Sequence, residues 1–224
     1  MSYDTSKDPR LLVAQRACTV FRNALQRKSA ARPAVPKQQV ADLAGAAESA
    51  VMTLLYLYQE PAELATTVPA QDLVATAGEL TQALQPVFTH RETPVLQRAT
   101  LQWCLRVLAG LPERLLGNGT SLASGVDLLA VEVRNVTRLG GGLWLTRVSD
   151  GSQDYTVVTN LPGIRSGDTL GVAFLPPREV GGQVSEAMFL GAESRAEPAG
   201  TRLGEDQVDT HEVSGLLHDE LARR

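Results

Sequence analysis

Apolar and polar positions change rhythm once along this chain, from a helical period to a strand period. Leu11, Ala14, Cys18, Phe21 and Leu25 recur at three- and four-residue spacing, one face of an amphipathic helix, with Arg16, Arg22, Arg27 and Lys28 largely off that stripe. The prolines within residues 29–36 cannot continue it. A second helix is predicted over 37–59, with Leu43, Ala47, Val51, Leu54 and Tyr58 on one side. Its middle is small (Ala44, Gly45, Ala46, Ala50), which suits the close approach of another helix. Pro61 and Pro69 bracket a short helical turn, and a third long helix carries Leu73, Ala77, Leu80 and Leu84 and ends near Pro86. Thr93-Pro94 predicts the next start, a capping hydroxyl followed by proline in the first turn. Leu96, Trp103, Val107 and Leu111 then face inward, and Pro112 closes or kinks that helix. The pattern over residues 11–116 is a bundle of four to five helices.

Gly117-Asn118-Gly119-Thr120-Ser121 is a linker signal, and composition shifts across it from Leu, Ala and Gln to Val, Gly and Thr. Strands are predicted over 126–137, 143–148, 155–160, 170–175 and 188–192. Gly140-Gly141-Gly142, Asp150-Gly151, Ser166-Gly167-Asp168, Pro176-Pro177 and Gly181-Gly182 separate or end them. Five short strands in under 70 residues fit a small barrel of either OB or SH3-like type. The fold class is therefore α+β in two domains: a helical bundle over 1–117, a linker over 118–125, a five-stranded barrel over 126–193 and a tail over 194–224. Residues 193–224 hold eight acidic and four basic residues, and Val213, Leu216, Leu217 and Leu221 can form a short amphipathic helix. Docked and mobile tails are both compatible with that pattern.

Composition narrows the function. The chain is 43% hydrophobic with a net charge of −4, and no apolar run approaches a membrane span. Residues 1–10 are polar and unlike a signal peptide, so a soluble cytoplasmic protein is expected. Cys18 and Cys104 lie on apolar helix faces and read as reduced core residues. His90 stands apart, while His211 and His218 are seven residues apart among acidic neighbours, which reads as an exposed polar face rather than a metal site. The triple glycine lacks the Walker lysine and the GxGxxG spacing, and no Gly-x-Ser-x-Gly, HExxH or CxxC occurs. No cofactor and no catalysis are expected.

One stretch carries a resemblance. Val157-Val158, Gly167-Asp168, an apolar strand, Pro176-Pro177-Arg178, then Gly182-Gln183-Val184-Ser185-Glu186-Ala187-Met188 follow one another in an order and spacing that resemble the tRNA-binding OB domain. That domain is appended to methionyl- and phenylalanyl-tRNA synthetases and to synthetase cofactors of the EMAP-II type, and stands alone in small dimeric tRNA-binding proteins. The resemblance covers about residues 126–193; residues 1–120 resemble no known family. It implies an OB barrel, binding of tRNA or other structured RNA, a homodimer, and an aminoacyl-tRNA synthetase as a protein partner. It places the RNA contacts on Arg134, Arg147, Arg165, Arg178 and the turn from Ser185 to Met188. Arg138 and Trp144 join them as a phosphate contact and a stacking platform of the kind OB grooves use.

The same stretch departs from the family. Gly141-Gly142 precedes Leu143 where the family has Asp-Lys, Gly181 replaces a basic residue, and Ala187 stands where glycine is usual. Residues 126–192 hold five arginines and seven acidic residues, whereas phosphate binding rests on positive charge. Only residues 1–37 are clearly basic, with eight cations against two carboxylates. These departures support a second reading, a protein-interaction or dimerisation scaffold whose barrel has lost strong RNA affinity.

Overall fold

Two strands of this protein are buried on both faces, and they join its helical and β halves. The computed structural model describes residues 3–27 and 31–223; Lys28 and Ser29, predicted to end the first helix and begin the break, lie outside the described residues. The helical half comprises α1 (Pro9–Gln26), α2 (Lys37–Leu55), α3 (Pro61–Leu64), α4 (Val68–Thr89), α5 (Val95–Ala109) and α6 (Leu111–Leu115). Asp8 begins α1 by accepting the Arg10 N–H, and Leu11, Ala14, Cys18 and Phe21 are buried as the spacing predicts.

Three boundaries differ from the sequence expectation. α2 stops at Leu55 rather than near 59, because the buried Thr5 hydroxyl donates to the Leu55 carbonyl (2.6 Å) and Tyr58 turns to φ 52°. Tyr58 is consequently exposed rather than on the inner stripe. α4 runs through Pro86 to Thr89: proline forfeits only its own N–H bond in the last turn, while burial of Val87 and Phe88 holds that turn in place. α5 is preceded by Pro94, with Thr93 one residue further out and no side-chain cap.

The β half comprises β1 (Leu128–Gly140), β2 (Leu143–Ser149), β3 (Asp154–Thr159), β4 (Thr169–Ala173), β5 (Arg178–Val180), β6 (Gln183–Ser185) and β7 (Met188–Phe189). β3-β2-β1-β4-β7 form one antiparallel sheet that curls into a half-barrel of OB-like form, and β5-β6 is a separate hairpin. That hairpin is not among the five predicted strands, because each of its strands is only three residues long.

Closure of the curl depends on two side chains. Ser185 is buried; its Oγ accepts the Val158 N–H (3.0 Å) and donates to the Ala187 carbonyl (3.0 Å). Next to it the Glu186 N–H donates to the Thr156 carbonyl (2.8 Å), while its carboxylate accepts the Thr156 N–H (2.7 Å). β3 is thus fastened to the chain before β7 by a latch rather than by a ladder.

Along β1, Leu129, Val131 and Val133 enter the barrel interior, while Leu128 and Ala130 enter a core shared with the helices. β4 does the same with Leu170 and Val172 on one side and Ala173 on the other, and Phe174 and Leu175 continue the alternation. Two-sided burial explains why these stretches are nearly continuous apolar runs. Trp103 of α5 crosses the joint, donating its indole N–H to the Phe174 carbonyl (3.0 Å).

A charged node sits at the same joint. Asp127, 6% exposed, accepts from Arg114 (2.7 Å) and Arg202 (3.0 Å), with Arg106 at 3.4 Å. Arg202 also pairs with Glu113 (2.9 Å), and Arg106 with Asp150 (3.5 Å) and the Tyr155 hydroxyl. Arg106 lies over the Phe174 ring, 4.2 Å from its centroid.

Residues 117–125 do not tether two independent bodies. Arg10, buried and ion-paired to Asp8 (2.6 Å), donates to the Gly117 carbonyl (2.8 Å). Glu205 accepts from the Ser121 hydroxyl (2.6 Å) and from the Thr120 and Ser121 amides. The turn Leu122–Gly125 packs on α1 so closely that a Cβ on Gly125 would lie 2.6 Å from Val13.

The tail is docked. Residues 200–203 pair with β1 through Ala130 and Leu128, covering an edge that β2 leaves open. α7 (His211–Ala222) buries Val213 and Leu217 and ties Glu220 to Arg16 (2.9 Å).

Replacing Asp127 by Ala leaves Arg114 buried without its counter-ion and is expected to lower stability by about 3–5 kcal/mol, read from urea unfolding. An Arg114→Met, Asp127→Leu double variant should recover most of that loss, because Arg202 keeps Glu113 and Arg106 keeps Asp150. Burial alone would raise the Asp127 carboxyl; Arg114, then Arg202 and Arg106, overcome it and hold the group below the usual carboxylate range. Its contribution is therefore present above the unfolded-state pKa of about 4 and lost as pH falls below it. Unfolding at pH 7 and pH 3 should show the native chain losing more stability over that interval than Asp127→Asn. Ser185→Ala deprives the Val158 amide of its acceptor, with an expected cost of about 1 kcal/mol and faster hydrogen exchange at Val158; unchanged exchange there would remove the latch from the account.

Candidate nucleic-acid interface

The residues expected to touch RNA separate into three places. The first is the barrel end beside the β1-β2 turn. β1 and β2 pair Arg138 with Trp144 across the Gly140-Gly141-Gly142 connection, and the Arg138 guanidinium lies 5.9 Å from the Trp144 ring centroid. All three glycines have positive φ, from 59° to 95°, as a reversal this tight requires. Trp144, half-buried, shares a cleft of about 190 Å³ with Leu161, Gly163, Ile164 and Arg165. Arg134 occupies a bulge between Val133 and Asn135, and its carbonyl accepts the Ser166 hydroxyl (2.7 Å), which holds the loop bearing Arg165 against β1. Arg134, Arg138 and Arg165 are exposed; Arg134 also pairs with Glu132 (2.6 Å).

Arg147 stands elsewhere. It is paired in register with Asn135 and Thr156, three residues along β2 from Trp144, so it projects from the opposite face of the sheet. There it contacts the Thr156 hydroxyl (3.2 Å). The third place is the β5-β6 hairpin, where exposed Arg178 lines a cleft of about 470 Å³ together with Ser185 and Met188. Asp209 and Glu212 of the tail line the same cleft. Ser185 is buried and occupied by the latch, while Met188 is partly buried against the shared core and lines the cleft.

Burial also changes the meaning of the barrel's acidic count. Asp127 is enclosed by arginines from α5, α6 and the tail. Asp150 accepts the Ser152 hydroxyl and the Ser152 and Gln153 amides within its own turn. Burial would raise the Asp150 carboxyl, but these bonds and Tyr155 bring it down to about 2. Glu186 is committed to Thr156, and burial pushes its carboxyl up. Asp168 accepts the Arg165 N–H. Four of the seven carboxylates thus have structural partners; Asp127 is neutralised by arginines, whereas Asp168 lies beside Arg165 and Glu132 pairs with Arg134.

Cys18 and Cys104 are free and buried; burial pushes the Cys18 thiol up to about 12 and raises Cys104 as well. His211 and His218 are exposed on α7, and no group of three or more histidine, cysteine or carboxylate side chains among the described residues is placed to hold a metal. Among the described residues no helix is long and apolar enough to cross a membrane.

Sequence reasoning missed the walls of the Trp144 cleft, Leu161 and Ile164, because they lie in a loop without periodicity. The pairing of Arg138 with Trp144 was legible, since the two flank the triple glycine almost symmetrically.

Comparison with curated proteins finds no match to this chain. The family described as "Alpha helical domain" matches residues 1–117, from the N-terminus to the end of α6 and its closing Gly117. That match spans just over half of the 224 residues, and the chain belongs to the Alpha helical domain family.

Proposed function

We propose that this protein is a non-catalytic RNA-binding protein that holds a looped or single-stranded segment at the Trp144 end of its barrel. The observation that carries the reading is the Arg138–Trp144 pair, with exposed Arg165 lining the same cleft and exposed Arg134 four residues back along β1. An indole offers a stacking face to any base, and the surrounding guanidinium groups suit the flanking phosphates. The resemblance of residues 126–193 to tRNA-binding OB domains supports the same reading and makes tRNA the first RNA to try. The site proposed here is narrower than the resemblance implies: Arg147 lies on the other face, and Arg178 shares its cleft with Asp209 and Glu212.

A protein-interaction role has its own support in Tyr56, Tyr58 and Val68, exposed around the connection from α2 to α4. Binding of bulk tRNA and of an unstructured RNA at about 50 and 200 mM salt separates the two readings. Three phosphate contacts predict a slope of log K against log salt of about −2, hence roughly 15-fold weaker binding at the higher salt. Trp144→Ala should cost about 1–3 kcal/mol of binding, and Arg138→Ala with Arg165→Ala should flatten the salt slope. Arg147→Ala should change neither. Absence of binding at the lower salt would leave the protein-interaction reading in its place.

A further inference from the structure

The helical half carries a cleft between its helices that is open to solvent along one side. It measures about 720 Å³, within the range of small-molecule pockets, and lies among α1, α2, α4 and α5. Its apolar wall includes Leu25, Val40, Leu84, Val87 and Leu101. Ala41, Ala44 and Gly45 line the α2 side. Of the small middle of α2, Ala44 and Ala47 are buried, while Ala41 and Gly45 are exposed at the rim, where a Cβ on Gly45 would meet nothing within 4 Å.

Two polar features make this more than a packing defect. Gln97 lines the cavity and is 3% exposed. Its Nε2 donates to the carbonyls of Ala24 (2.9 Å) and Arg27 (3.3 Å), yet its Oε1 has no partner among the described residues. A buried amide oxygen without a donor is costly, and a ligand N–H or O–H would satisfy it. Beside it, Arg22, Arg27 and Lys37 line the same cavity and are exposed. Glu48 offsets one of them, pairing with Arg22 at 3.2 Å, which leaves a surplus of positive charge.

We infer that this cavity binds an amphipathic monoanion: an apolar chain joined to a carboxylate through a link that carries an N–H or O–H donor. The chain lies against Leu84, Val87 and Leu101, the donor meets Gln97 Oε1, and the carboxylate meets Arg27 and Lys37. Gln97 is held against the last turn of α1, where Arg27 follows, so the donor and the carboxylate belong close together, as in an N-acyl amino acid.

N-decanoylglycine, decanoate and the methyl ester of N-decanoylglycine are the probes, measured by calorimetry and thermal shift on the full chain. N-decanoylglycine should bind saturably with one site and raise the melting temperature. Decanoate, lacking the N–H, should bind about 2- to 10-fold more weakly, and the uncharged ester should also be weaker. Gly45→Phe, at the exposed rim, narrows the mouth and should weaken binding while leaving the melting temperature of the free protein unchanged or higher. Gln97→Leu should erase the difference between N-decanoylglycine and decanoate. No saturable binding of any probe, or binding that survives Gly45→Phe unchanged, would overturn the assignment.

Discussion

A single carboxylate, Asp127, is the point on which the two halves of this protein converge. It sits at the entrance to β1 and is met by Arg114 from α6, Arg106 from α5 and Arg202 from the tail. Taking one carboxylate and a fully buried guanidinium out of water is costly, and only the combined attraction of several cations at hydrogen-bond distance offsets that cost. The geometry is correspondingly demanding: helix, strand and tail must all be in place before the charges are satisfied. Such a node adds little to net stability compared with an apolar joint, but it defines one relative placement of the halves.

Around that node the apolar packing follows. β1 and β4 are shared walls, facing the barrel interior on one side and the helices on the other. The tail returns along β1, and its last helix reaches Arg16 of α1 through Glu220. Glycine-rich segments that separate domains in many proteins are here held at both ends, by Arg10 and by Glu205. Helices, barrel and tail are consequently coupled, and a ligand in either half acts on a body whose parts share one core.

The two candidate sites have different physical origins. At the barrel end the proposed site is assembled on the surface by hairpin register, which sets Arg138 beside Trp144. In the helical half it lies in a cleft between helices, lined by small residues of α2 together with Leu84 and Leu101. Surface arginines tolerate change readily, whereas the Gln97 amide is locked by two backbone carbonyls and leaves its oxygen pointing to an unmet need.

Local periodicity determined most of the secondary structure. The stripe of Leu11, Ala14, Cys18 and Phe21 made α1 legible, and the turn glycines and prolines separated the longer strands, because both signals act over a few residues. The α+β order and the short tail helix could be read in the same way. What tertiary structure alone decided are properties that depend on distant partners. Thr5 ends α2 from 50 residues away, Ser185 closes the barrel onto Val158, and the tail supplies Arg202 to Asp127. Arg147 and Trp144 look equivalent in a list of residues, yet the two-residue period of a strand sends them to opposite faces. The acidic total of the barrel is a sequence property, whereas only the fold decides that Asp127 is enclosed by three arginines: charge is additive along a sequence, but its effect on a ligand depends on which carboxylates the fold has already paired.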